Sequence, residues 1–362
     1  MKKYVICEGT PDGEYNAQSK ARNDAEEIIV NNGYKRLYIP TKYGVEIKKI
    51  KKYKQLICYI NNYFLWKEYI NKLDSGDIII FQYPILNTMV NFEKIMKLCE
   101  RKNITTICLI HDMDSIRFSD MPRKIREDKK VLNGAKYIIA HNDKMKKKLI
   151  ELGNSEEKII ELGIFDYFVK CEISEKNREK KQPIIIAGNL SKQKAKYICS
   201  LKDIKDIKFN LYGKGYQREN GEENISYKGA FLPEELPNNL EGSFGLVWDG
   251  ESSNTCSGNF GEYIRYNNPH KVSLYVASEI PVVIWKEAAL ASFVLENNIG
   301  IAIESINEIY REISKLTDEN YNNMKANIKN IAQKVRDGYF LTRALKQVEE
   351  IIKKDKDEKI NN

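Results

Sequence analysis

Short apolar runs alternate with amphipathic stretches along the whole chain. Residues 4–7, 36–39, 77–82, 105–110, 137–140 and 158–162 are compact and mostly aliphatic. They lack polar alternation, which predicts strands covered on both faces of a parallel sheet. Helical patterns lie between them. Residues 21–31 turn Ala25, Ile28 and Ile29 inward and stop at Gly33, and residues 53–73 line up Leu56, Ile57, Ile60, Phe64 and Leu65 in one stripe. The polar segment 170–182 contains no strand candidate and reads as a linker. Alternation restarts at 183–187, 207–212, 244–248 and 281–284, and residues 307–353 read as helical with a break near Gly338 and Tyr339. This order predicts an α/β protein with two doubly wound, Rossmann-like halves and right-handed crossovers. The expected division is 1–169, a linker at 170–182, a second domain at 183–338, and a helix and tail at 339–362 packing back toward the first domain. In open sheets of this kind ligands bind at the carboxyl ends of the strands, and two halves would face each other across a cleft.

Composition narrows the partners. The 362 residues are 42% hydrophobic and 10% aromatic, with a formal charge of +8. That describes a globular chain that favours acidic partners such as nucleotide phosphates, anionic lipid or nucleic acid. The local cluster Lys48-Lys49-Ile50-Lys51-Lys52-Tyr53-Lys54 contains no arginine and no repeated aromatic–basic interleaving, so it reads as a solvated helix face and nucleic acid is not expected. Seven scattered cysteines without a C-x-x-C pair indicate free thiols in a reducing compartment. An acid at Glu8 interrupts any signal-like core, and no apolar run reaches spanning length, so a cytoplasmic location with at most peripheral membrane association is expected. Three histidines far apart in sequence give no metal-ligand spacing, and no metal or other cofactor is expected.

The most informative stretch is Asn267-Asn268-Pro269-His270-Lys271-Val272-Ser273-Leu274-Tyr275, followed by Ile280-Pro281-Val282-Val283-Ile284. It predicts a turn, a short helix with a lysine in its first turn, and a strand entered through proline. A helix start offers unpaired amides and partial positive charge, and Lys271 adds a full charge there. Asn268 is placed to cap the helix and Pro269 to open it. An ordinary capped helix with a solvated lysine would have the same sequence. Nearby, Gly188 and Lys192 follow one strand, Tyr212 and Gly213 end the next, and Trp248-Asp249-Gly250 ends a third. The glycines permit close backbone approach, and Tyr212 is placed to stack on a base. None of these segments matches a Walker loop or a G-x-G-x-x-G fingerprint, which argues against an ATPase or a nicotinamide enzyme.

In the first half, Glu8-Gly9-Thr10-Pro11-Asp12-Gly13 leads from a strand toward a helix, and could touch a phosphate or the sugar. Residues 105–110 end in His111-Asp112-Met113-Asp114. A carboxylate at such a strand end can take a proton from an acceptor hydroxyl, so Asp112 and Asp114 are candidate bases, with Glu8 after the first strand as a third. The two aspartates would equally serve to cap the following turn.

The helix entry Asn16 to Glu27, the stretches His111 to Arg117 and Leu246 to Gly250 and, most densely, Tyr263 to Asn297 resemble the GT-B glycosyltransferases, specifically the glucosyltransferase 3-like group that extends O-glycans on bacterial serine-rich-repeat adhesins, with galactofuranosyltransferases among its relatives. The resemblance covers most of the chain and is most specific at Tyr266 to Lys271 with Pro281 to Trp285. It implies a UDP-sugar donor in the C-terminal half and a glycan or glycoprotein acceptor, such as a GlcNAc-modified protein, in the N-terminal half. It further implies that Lys271 holds the diphosphate and stabilises the leaving group, and that Asn268 and the neighbouring His270 help position the donor. Lys192, Tyr212, Gly188 and Gly213 would frame the nucleotide and Thr10 would approach it. A homo-oligomer, with a tetramer as one form, and no metal requirement come with the resemblance. Many retaining relatives carry a glutamate just before the tyrosine of the P-x-K-x-x-x-Y run, where this chain has Leu274. That departure leans toward inversion at the anomeric carbon. A UDP-sugar 2-epimerase and a non-catalytic transferase-like subunit share the two-domain plan and are the alternatives.

Overall fold

The computed structural model describes residues 1–7, 17–39, 51–85, 90–170, 172–174 and 176–361. The loop carrying Glu8 and Thr10 lies outside the described residues, so the reading of Thr10 has no structural counterpart. By contact the chain divides into two compact units, one from Met1–Thr10, Ala25–Leu162 and Leu341–Asn362, the other from Pro11–Asp24 and Gly163–Phe340.

The first unit is built on β1 (Lys3–Cys7), β2 (Lys35–Tyr38), β3 (Ile78–Tyr83), β4 (Thr105–Ile110), β5 (Tyr137–Ala140) and β6 (Ile159–Glu161). They form one parallel sheet in the order β2-β1-β3-β4-β5-β6. Every residue of β3 and β5 is buried, as unbroken aliphatic runs require. The helix Phe92–Arg101 shows how a crossover is fixed. Asn91 caps it by accepting from the Lys94 amide at 3.1 Å, and Phe92, Ile95, Met96, Leu98 and Cys99 form its buried face. The helix Lys52–Asn71 does the reverse. Its buried residues are Asn62, Trp66 and Ile70, while the stripe of Leu56, Ile57, Ile60 and Phe64 is exposed.

The second unit holds β7 (Ile184–Ala187), β8 (Phe209–Tyr212), β9 (Ile225–Gly229), β10 (Phe244–Val247), β11 (Val282–Trp285) and β12 (Gly300–Ile303). They are parallel, in the order β12-β11-β10-β7-β8-β9. From β7 the chain winds outward through β8 and β9, then returns to the other side of β7 through β10, β11 and β12. The switch point therefore lies between β7 and β10. The two edge strands β9 and β12 went unread in the sequence, because β9 exposes most of its residues and β12 is only half covered.

The expected domain boundary moves. Segment 163–169 belongs to the second unit, where the Tyr167 hydroxyl donates to Pro233 O at 2.7 Å and Asp166 accepts from the Phe340 amide at 3.1 Å. The expected linker is anchored there too, since buried Arg178 donates to Gly242 O and Leu240 O and Lys176 to Asn238 O and Leu240 O. Charge density in this segment serves carbonyl groups at a sheet end instead of solvating a tether. At the far end Gly338, with φ of +74°, separates the helix Asp318–Arg336 from the helix Tyr339–Asn361, the break read from sequence.

Candidate active site

In the second unit, β7 and β10 pair only at Phe244 with Ile184 and Gly245 with Ile185, then diverge. Tyr275, fully buried in the helix His270–Ala277, fills the gap between them. Its hydroxyl accepts from the Ala187 amide at 3.0 Å and lies 3.3–3.4 Å from the carbonyls of Leu246 and Ile185, either of which can take its proton. A side chain thus replaces the ladder bonds that parting strands would leave unmet. The ring lies flat on β10 at Gly245, where a Cβ would stand 2.3 Å from it.

One turn earlier on that helix face is Lys271. Its ammonium donates to Trp248 O at 2.8 Å and to Asp249 Oδ1 at 2.7 Å, with both side chains about nine-tenths buried. Lys194 approaches the other Asp249 oxygen at 3.8 Å. A Cβ on Gly188 would lie 3.3 Å from the Lys271 stem, so the glycine lets the backbone come close to the lysine. Gly188 has φ of +128° and Gly213 of +139°, and a Cβ on Gly213 would stand 1.8 Å from Gly188 O. The loops after β7 and β8 therefore cross where no larger residue fits. Pro269 occupies the cap position of the helix and makes no side-chain capping bond.

The structure brings together Gly188, Gly213 and Lys271, and sends other sequence candidates elsewhere. Asn268 does not cap the helix, because its buried amide donates to Gly163 O at 3.0 Å. Tyr212 is 1% exposed and accepts from the Glu241 amide at 3.0 Å, so its ring is core and not an open stacking platform. Lys192 is half exposed and pairs with Glu219 at 2.6 Å, whose carboxyl is pulled down to about 2 by hydrogen bonds from Lys192 and Lys202. His270 packs its ring against Tyr167 at 5.1 Å and Phe165 at 6.0 Å. Burial, reinforced by Lys20, pushes its pKa down to about 3, so the imidazole is neutral, and its Nε2 has no partner among the described residues. Lys194 has no expected role from sequence, and Tyr275 and Asp249 stand in noted segments without one. A lysine two residues past an already noted one, and a tyrosine four residues past Lys271, were the available signals.

At the carboxyl ends of the first sheet, His111 Nε2 meets Gln82 Oε1 at 2.7 Å, joining β4 to β3. Asp112 forms an ion pair with Arg117, and Asp114 pairs with Lys124 at 2.9 Å and with Arg117 at 3.8 Å. Asp114 lies in the first turn of the helix Asp114–Arg117, whose cap position is Met113. Beneath them the Asp128 carboxylate accepts from the Tyr83 hydroxyl and, at 2.9 Å, from the Ser115 amide, and burial pushes its pKa up. His141 bonds Ile110 O at 3.0 Å, with burial pushing it down to about 3. Among the described residues no group of three or more His, Cys, Asp or Glu side chains is placed to hold a metal ion.

Compared with known proteins, the chain matches Glucosyltransferase 3-like, N-terminal domain over residues 3–164 and Glucosyltransferase 3-like, C-terminal domain over residues 184–348. It is 36% identical over 285 residues to Beta-1,6-galactofuranosyltransferase WbbI of Escherichia coli (strain K12), covering 76% of this chain and 80% of that one. It is 24% identical over 277 residues to Glucosyltransferase 3 of Streptococcus parasanguinis, covering 75% and 78%. Among solved structures it shares its fold with Anabaena HepE in complex with UDP and glucose, at a TM-score of 0.58 and 12% identity, over 97% of this chain and 99% of that one.

Proposed function

Because the chain belongs to the glucosyltransferase 3-like family of glycosyltransferases, with a GT-B fold, we propose that Lys271 and the start of its helix bind the diphosphate of a UDP-sugar and that a hexose passes from it to a glycan acceptor. The observation that carries this reading is Lys271 held at the β7–β10 switch point beside Gly188, with helix amides at the same corner. The names of the relatives, one a galactofuranosyltransferase and the other a glucosyltransferase, and the UDP and glucose in the Anabaena complex support a hexosyl donor carried on UDP.

In the proposed reaction an acceptor hydroxyl attacks the anomeric carbon and gives up its proton to a base. The bond from that carbon to the β-phosphate oxygen breaks with its electron pair left on UDP. Lys271 and the helix start meet this growing negative charge, and a preorganised donor in such a position contributes about 3–4 kcal/mol. Asp249 orients the ammonium and Lys194 adds a second cation within reach of the same carboxylate. The base is one of Asp112, Asp114 and Glu8, and Leu274 in place of a ribose-binding glutamate favours inversion. A homo-oligomer accompanies this reading.

The test is UDP titration by calorimetry on the parent and on folded Lys271→Ala, followed by a panel of UDP-sugars with glycan acceptors read by mass spectrometry. Transfer by the parent with UDP affinity lost in the variant supports the assignment. Equal UDP affinity in both removes Lys271 from it. Conversion of UDP-GlcNAc without acceptor would identify an epimerase instead.

A further inference from the structure

The helix Lys52–Asn71 carries its apolar residues on the wrong side for a core. At roughly 100° per residue, Tyr53, Leu56, Ile57, Ile60 and Phe64 fall within one stripe opposite buried Asn62, Trp66 and Ile70. These five side chains are between 44% and 59% exposed. Single exposed apolar residues are common on protein surfaces, but a contiguous stripe running from the first turn through the fourth marks an interaction face. Its flanks are basic. Lys51, Lys52 and Lys54 are exposed at the N-terminal end, Lys48 and Lys49 precede them in sequence, and Lys67 stands at the far end. The only acid in the helix is Glu68.

We propose that this face lies on an anionic lipid bilayer, the helix in the plane of the interface, with the apolar stripe entering the boundary between headgroups and acyl chains and the lysines meeting lipid phosphates. An amphipathic helix with lysine on its flanks and aromatic residues in its apolar face has the chemistry for that position. Among the described residues no helix is long and apolar enough to cross a membrane, so the attachment is peripheral. Charge selects the occupant. A second copy of this chain would bring another lysine-rich surface against the first, whereas anionic headgroups supply the opposite sign. This inference stands apart from the donor-site assignment and survives its failure.

The test is co-sedimentation of the full chain with vesicles of phosphatidylcholine alone or containing phosphatidylglycerol. The parent should pellet with the anionic vesicles and stay in solution with the neutral ones. Leu56→Gln/Ile60→Gln/Phe64→Gln, all at exposed positions, should keep the parent's circular dichroism and lose partitioning by at least about tenfold. Lys52→Glu/Lys54→Glu should weaken it roughly fivefold per lysine, more at low salt than at high. A parent that ignores anionic vesicles overturns the proposal, as does a triple variant that binds like the parent. If the triple variant instead drops to a smaller species on gel filtration while the parent never partitions, a second copy covers this face and the proposal falls.

Discussion

At the carboxyl end of β10 one lysine is held by a carboxylate and a carbonyl, with Gly188 close to its stem. At the carboxyl end of β4 two aspartates are each held by a cation from the next turns. Both edges come from six parallel strands, and both contain ion pairs. They differ in what surrounds the pair. Beside Lys271 the Gly188 backbone comes close and Pro269 at the cap position offers no side-chain bond, so an anion arriving there would compete with Asp249 for the ammonium. Around Asp112 and Asp114 the opposing charges neutralise one another locally, and the edge suits a neutral, hydroxyl-bearing ligand better than a charged one.

Four experiments would break or sharpen this contrast. If the first edge supplies the base, one of Asp112→Asn and Asp114→Asn should cut kcat by about 10²- to 10⁴-fold while the other costs much less. Steady-state rates with both variants within tenfold of the parent would take the base away from this edge. Lys271→Ala should cut kcat by about 10²- to 10³-fold with circular dichroism unchanged, a loss of about 3–4 kcal/mol. Next in size are two stability effects in the second unit. Gly213→Ala, which drives a Cβ against Gly188 O, should cost about 3 kcal/mol by denaturant titration. Tyr275→Phe keeps the ring but orphans the buried Ala187 amide, at about 1–3 kcal/mol, and should raise the KM for donor as the crevice relaxes. A Tyr275→Phe protein with parental stability would show that another group satisfies that amide.

The smallest effect concerns acid. His141 in the first unit and His270 in the second are both depressed to about 3 by burial, below the ordinary imidazole value. Their unfolded forms bind protons that the folded forms refuse, so the stability they contribute is full above about pH 6.5 and declines as pH falls toward 3. Asp24, pushed up to about 6 by burial, and Asp128, also raised, act in the opposite sense as pH falls. The difference between variant and parent therefore carries the test. His141→Asn should close its stability gap to the parent by about 1.4 kcal/mol for each pH unit below 6.5. A gap that stays constant from pH 7 to 5 would mean that His141 takes up its proton in the folded chain as readily as in the unfolded one.

Much of this was legible in the chain itself. Ten strands, the parallel winding, the break at Gly338 and the Lys271 corner follow from aliphatic runs, glycine at strand ends and a lysine past proline. What escaped was decided by tertiary partners. Asn268 has the right residue type for a cap, but Gly163 O competes for its amide. Tyr212 ends a strand as a stacking residue would, yet the Glu241 amide turns its hydroxyl inward. Lys192 and Lys194 are equivalent in sequence, and only the position of Glu219 separates them. The stripe of Leu56, Ile57, Ile60 and Phe64 was seen correctly as periodic, but periodicity states that a helix has two faces without stating which one meets the sheet.

Tyr275 has a consequence for how the enzyme can be altered. Its hydroxyl sets how far apart β7 and β10 stand, and it belongs to the same short helix that presents Lys271. Spacing of the parting strands and reach of the ammonium are therefore mechanically linked, like the pivot and the tip of one lever. On the proposed donor assignment, a substitution at Tyr275 that changes this spacing should therefore also change how Lys271 meets the diphosphate.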